Sequence, residues 1–208
     1  MTKHLPNTVL WSDMDGTIVQ TIFHYNPRNW FKLWPTGKAG YREFLTALDS
    51  KGIEIAGLVS RRPNFWIIRW MTQKSIKRLK LTNFFKTDRI ILSGSDEVKG
   101  GFVAKQSLSN PVIMVEDKPY KIGPVIVARL RSKYRYPVTL AVVPHPRAKR
   151  YIRRLHSKLS GIPDINLLTS THGDLKVYDK TNKTLLMRVI LLDPYSSKSG
   201  QKLAKQLL

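Results

Sequence analysis

Cysteine is absent from the 208 residues. Without thiols the chain forms neither a disulfide framework nor a thiolate metal site, and it suits a reducing compartment such as the cytoplasm. No apolar run approaches the roughly 20 residues needed to span a bilayer. The opening, Met1 to Asn7, is polar and carries a proline instead of an apolar signal core, which argues against secretion. The histidines (His4, His24, His145, His156, His172) show no metal-ligand spacing and read as surface or loop residues. No internal repeat is visible. Acidic residues are scarce: 14 Asp and Glu stand against 36 Lys and Arg, a formal charge of +22. Such a field favours polyanions, nucleic acid first and an anionic membrane surface second.

What is present begins at Val9-Leu10-Trp11-Ser12-Asp13-Met14-Asp15-Gly16-Thr17. A short apolar run, read as a buried strand, ends in two carboxylates spaced i, i+2, followed by Gly and Thr. Asp13 and Asp15 therefore fall at the carboxyl end of a strand, where open α/β sheets build ligand sites. Adjacent carboxylates repel unless a cation or proton compensates them, and Mg²⁺ suits that need. The plain alternative is a strand-ending turn, since Asp-Gly is a common turn dipeptide.

Further along, apolar runs alternate with helical patterns. Residues 8–13, 53–59, 89–92, 111–115 and 138–143 read as strands. Helices are expected over Gly40–Lys51, over Asn64–Leu81 with Asn64 as N-cap, near Phe102–Leu108, and over Lys121–Tyr134 and Arg147–Leu159. Residues 18–37 lack helical periodicity and read as an aromatic-rich excursion, and 177–186 as a hairpin. Ser196 to Leu208 reads as a mobile or weakly helical tail. Strand runs without polar alternation, separated by helices, predict a Rossmann-like three-layer α/β fold with a parallel sheet. Residues 1–143 form its core, and 144–208 a small basic C-terminal extension packed on or following it.

Four features recur at strand ends in chain order: Asp13 with Asp15, then Ser60, then Lys99, then Glu116 with Asp117. This order resembles the haloacid dehalogenase (HAD) superfamily, mostly Mg²⁺-dependent phosphatases and phosphotransferases that act through an aspartyl-phosphate. Asp13-Met14-Asp15-Gly16-Thr17 matches its first motif, DxDGT, and Val59-Ser60-Arg61 looks like its second. A lysine before the fourth strand is the third, and Val115-Glu116-Asp117 resembles its acidic fourth. The resemblance spans roughly residues 8–143. Glu116-Asp117 departs from the commoner Asp-Asp pair, which leaves open which carboxylate meets the metal. Lys99 competes with Lys105 for the third motif and is favoured because it stands just ahead of the expected helix.

The residue types support the same chemistry. A carboxylate can attack phosphorus, making Asp13 the candidate nucleophile, and Asp15 could serve as acid and then base. Ser60 and Lys99 can stabilise phosphoryl oxygens, although Ser60 before Arg-Arg-Pro also fits a turn and helix start. Thr17, Arg61 and Arg62 are candidate substrate-binding residues. Asp13, Asp15 (by resemblance, through its backbone carbonyl), Glu116 and Asp117 are the candidate Mg²⁺ ligands.

The intervals after Asp15 and between Ser60 and Lys99 leave no room for a folded cap. An uncapped site admits the end of a macromolecule, so with the charge the expected substrate is a terminal phosphate of DNA or RNA. The basic segments 74–80, 129–135 and 147–154 could track a phosphate backbone, with Tyr134, Tyr136 and Tyr151 among them. For Trp30, Trp34, Trp66 and Trp70 two readings stand, core or flap packing and stacking on bases, with packing preferred for any single one. Two other readings stand: a phosphatase for phosphoproteins or nucleotides, and a basic nucleic-acid or ribonucleoprotein-binding module with little or no catalysis.

Overall fold

Along each central strand both parities of side chain are apolar, so two separate hydrophobic layers must form. In strand β1 (Val9–Ser12), Val9 and Trp11 join one buried cluster while Leu10 joins the other. Strand β6 (Val112–Glu116) alternates the same way, Val112 and Met114 against Ile113 and Val115. A sheet apolar on both faces needs helices on both, which is the doubly wound arrangement. The computed structural model describes residues 7–20, 36–132, 136–170 and 174–207.

The remaining strands are β2 (Val19–Gln20), β3 (Thr36–Gly37), β4 (Glu54–Ser60), β5 (Ile90–Leu92), β7 (Val138–Val142), β8 (Ile165–Thr169), β9 (Leu175–Asp179) and β10 (Leu185–Leu191). The helices are α1 (Tyr41–Asp49), α2 (Trp66–Arg78), α3 (Asp96–Gln106), α4 (Pro119–Ser132), α5 (Ala148–Ser160) and α6 (Ser197–Leu207). The main sheet has eight strands in the order β5-β4-β1-β6-β7-β10-β9-β8. From β5 to β10 every neighbouring pair is parallel, whereas β9 and β8 add antiparallel strands. α1 packs on α6 over one face, and α3, α4 and α5 pack in series over the other. The strand order reverses between β1 and β6, and a crevice opens at such a reversal beyond the carboxyl ends of the strands.

Several local expectations differ from the structure. Helix α2 starts at Trp66, and Phe65 occupies the cap position with no side-chain bond. Asn64 instead accepts a hydrogen bond from Arg69 Nη2 at 3.1 Å. Helix α3 starts at Asp96, six residues ahead of the expected Phe102, because Ser95 Oγ caps the Val98 amide and Asp96 and Glu97 favour the first turn. Gly100 reads as a breaker in sequence, yet inside α3 it lets α4 approach: a Cβ there would lie 2.9 Å from Val125 Cβ. Lys99 therefore lies inside a helix, not ahead of one.

The C-terminal region differs most. The expected hairpin is β9 and β10, but β10 also pairs in parallel with β7, carrying the sheet through the 144–207 segment. β8, left unassigned from sequence, lies at its edge. The expected loose tail is helix α6, whose Ser199, Gly200, Leu203 and Ala204 are buried against α1. Few large apolar residues mark it, and its order comes from tertiary packing. The 18–37 excursion leaves through β2 and returns through β3, which pair antiparallel, while Trp30, Phe31 and Trp34 lie outside the described residues. Among the described residues, no helix is long and apolar enough to cross a membrane.

Phe44, fully buried in α1, packs against the Tyr195 ring and next to α6. Phe44→Ala should cost about 3–5 kcal/mol of stability, read from the urea-unfolding midpoint at unchanged m-value. A loss below about 1 kcal/mol would contradict this packing.

Candidate active site

The Asp13 amide donates to Val115 O at 2.9 Å, so Asp13 leaves β1 alongside the end of β6. The chain then turns tightly, the Ile18 amide donating to Met14 O at 2.9 Å and the Gly16 amide to Val19 O at 2.9 Å. Gly16 takes a φ of 84°, and a Cβ there would lie 2.2 Å from Asp117 Oδ2. Glycine is thus required twice, by backbone conformation and by the approaching carboxylate. Thr17 is buried in this turn, and among the described residues its hydroxyl has no hydrogen-bond partner.

Lys99 reaches the same point from α3. Its Nζ lies 2.7 Å from Asp13 Oδ1 and 2.6 Å from Glu116 Oε2, with all three side chains buried. The Lys118 amide donates to the other Glu116 oxygen at 3.0 Å, and Lys118 Nζ lies 3.3 Å from Asp117. Asp13, Glu116 and Asp117 each offer a carboxylate oxygen, and these oxygens lie within 4.8 Å of one another. Lys105, the other candidate for the third motif, is exposed near the end of α3.

Asp15 goes elsewhere. Arg62 holds it in a bidentate pair, Nε to Oδ2 at 2.7 Å and Nη2 to Oδ1 at 2.6 Å, while Arg62 Nη1 donates to Thr72 Oγ1 at 3.1 Å. The Asp15 side chain is thus outside the carboxylate group that could hold a cation. Ser60, fully buried at the end of β4, accepts weakly from the Arg62 amide at 3.4 Å, and its carbonyl accepts from the Ser93 amide at 2.8 Å. Arg61 turns outward, 3.8 Å from Asp96.

Sequence reasoning passed over two groups. Lys38 donates through Nζ to Gly16 O and is pinned by its own amide to Ile18 O at 2.8 Å. No motif surrounds it, so only the return of the excursion reveals it. Tyr41 hydrogen-bonds Ser12 Oγ at 2.5 Å, and the Ser12 hydroxyl donates to Asp13 O at 2.9 Å, backing Asp13 from α1.

Burial pushes the Asp13 carboxyl up to about 7, helped by Glu116 and opposed by Lys99. Burial, then Glu116, lifts Asp117 to about 8. Burial also opposes an ionised Glu116, but Lys99 and the hydrogen bond with Asp117 together hold it below its ordinary range. For Lys99, burial would favour the neutral amine, yet Asp13 and Glu116 keep it charged. Near neutral pH the pocket therefore carries protons on carboxylates at ligating separation. A hard divalent cation can replace such protons, and an all-oxygen donor set suits Mg²⁺-type ions. The residues fit a metal.

Comparison with family models, with curated proteins and with solved structures gives no match for this chain.

Asp13 and Asp117 titrate above the 3.8 of a solvated aspartate, so the folded chain holds protons that the unfolded chain has released. Metal-free stability should therefore fall as pH rises through that interval towards about 8. Affinity for Mg²⁺ or Mn²⁺ should rise over the upper part of it, with proton release seen by calorimetry in buffers of different ionisation enthalpy. Pre-ionised ligands would give a flat profile. Separately, Lys99→Met strands two buried carboxylates and should cost about 3–5 kcal/mol of stability, partly restored by added divalent cation.

Proposed function

We propose that the protein is a divalent-cation-dependent phosphomonoester hydrolase that works through an aspartyl-phosphate on Asp13. The observation that carries this reading is the meeting of Asp13, Lys99, Glu116 and Asp117 at the point where the strand order reverses. Asp13, Glu116 and Asp117 would hold the ion, which supplies positive charge opposite the phosphoryl oxygens. Ionised Asp13 attacks phosphorus, and the bond to the leaving oxygen breaks. Asp15, protonated from solvent once Arg62 releases it, gives that oxygen the proton, then takes one from the water that attacks phosphorus and splits the acyl-phosphate, releasing inorganic phosphate. Lys99 remains charged throughout and offsets the charge gathering on the transferred group. Arg62 must yield Asp15 for the proton to move, and phosphoryl oxygens offer its guanidinium an equivalent bidentate partner.

The +22 charge favours a polyanionic substrate, and a terminal phosphate of a polynucleotide fits an enzyme of a cysteine-free, cytoplasmic type. The bidentate hold of Arg62 on Asp15 favours a second reading, a nucleic-acid-binding module without turnover.

Phosphate release from 3′- and 5′-phosphorylated oligonucleotides and from para-nitrophenyl phosphate tests both. Turnover should require Mg²⁺, vanish in Asp13→Asn, and fall by about 10²–10⁴ in Asp15→Asn. Full activity in Asp13→Asn removes the covalent mechanism, and salt-sensitive oligonucleotide binding with no turnover selects the binding module.

A further inference from the structure

Just beyond Arg62 the chain exposes large apolar side chains. Phe65 is 64% exposed and Trp66 80%, and Ile67 and Trp70 are each 47% exposed. Burying a tryptophan is among the larger gains open to a side chain, so a mostly exposed one on an ordered helix is costly unless something covers it. The position adds to the argument. Arg62, which grips Asp15, is three residues before Phe65, and it bonds Thr72 within the same helix. Arg62 therefore links Asp15 to the helix that carries the exposed rings.

The rest of helix α2 indicates what covers them. Trp66, Trp70, Lys74 and Lys77 follow one another at helical spacing along the exposed face, opposite the buried Thr72, Ser75 and Ile76. Lys74 Nζ lies 5.6 Å from the Trp70 ring centroid, placing cation and π face together. From Arg61 to Lys86 the chain contains neither Asp nor Glu. A stripe with rings at one end, cations at the other and no carboxylate suits a ligand with flat apolar faces strung on a polyanion. A membrane-surface helix would instead continue its apolar face along its length, whereas here it gives way to lysine after Trp70.

We propose that Phe65 and Trp66 form a stacking platform for unpaired bases of single-stranded nucleic acid, with Lys74 and Lys77 tracking its phosphates. In a duplex the base faces are already stacked, so the platform selects single-stranded or frayed ends. As a statement about substrate it rests on the phosphatase reading above; as a binding site it does not.

The test is fluorescence anisotropy with end-labelled single-stranded and duplex oligonucleotides, titrated over a range of salt. Trp66→Ala and Phe65→Ala should each weaken single-strand binding by about fivefold to a hundredfold and leave the salt slope unchanged. Trp66→Phe should restore most of the affinity. Lys74→Ala should reduce the slope by about 0.7. Unfolding midpoints close to wild type confirm that the exposed-site variants fold. Wild-type affinity in both alanine variants overturns the platform. So does a Trp66→Ala defect seen only in self-association or in binding to mixed phosphatidylcholine–phosphatidylserine vesicles. Wild-type turnover of para-nitrophenyl phosphate, which has no bases, reports on the reaction alone, so the two proposals fail separately.

Discussion

Lys99 stands between Asp13 and Glu116 in a pocket from which water is nearly excluded, and the site depends on that bridge. Three separate stretches of chain meet there: the end of β1, the first turn of α3 and the end of β6. Charges taken out of water are costly, and mutual attraction offsets that cost only when geometry is close. The bridge therefore ties the register of β1 against β6 to the placement of α3. Burial, against the pull of Lys99, raises Asp13, and burial with Glu116 raises Asp117.

The neighbouring Asp15 shows how a tight turn separates two like charges. Two residues apart in sequence, Asp13 precedes the Met14–Val19 turn, Asp15 lies within it, and different cations, Lys99 and Arg62, engage them. Their environments differ accordingly, one deeply buried and shared with Glu116, the other half-buried in a bidentate pair. The hold of Arg62 also connects the site to α2, whose outward face carries the exposed rings.

Much of the fold was legible because the central strands are apolar on both faces. β1, β4, β5, β6 and β7 each lie within a residue or two of their expected spans, since uninterrupted Val, Ile and Leu runs leave little else to adopt. Element starts were less legible where a cap competes with a glycine pair: Ser95 starts α3 despite Gly100-Gly101, whose small size serves the contact with α4. α6 was illegible because its buried residues are mainly small, and β8 because an edge strand half-exposed to water carries a weak pattern. Trp66 and Trp70 were misjudged for the opposite reason. Aromatic content argues for burial on average, and average burial carries no information about a surface kept open.

By itself the chain determined which residue types stand at strand ends, the α/β class, the dearth of carboxylates and the lack of thiol chemistry. Those properties follow from local composition and from hydrophobic period, which act over a few residues. Only the tertiary structure decided that Lys99 and not Lys105 meets Asp13, that Asp15 answers to Arg62, and that Lys38 and Tyr41 close around the Ser12–Gly16 segment. Such pairings join residues tens of positions apart, and their geometry is set by the order of strands and the close approach of helices, which no local pattern encodes.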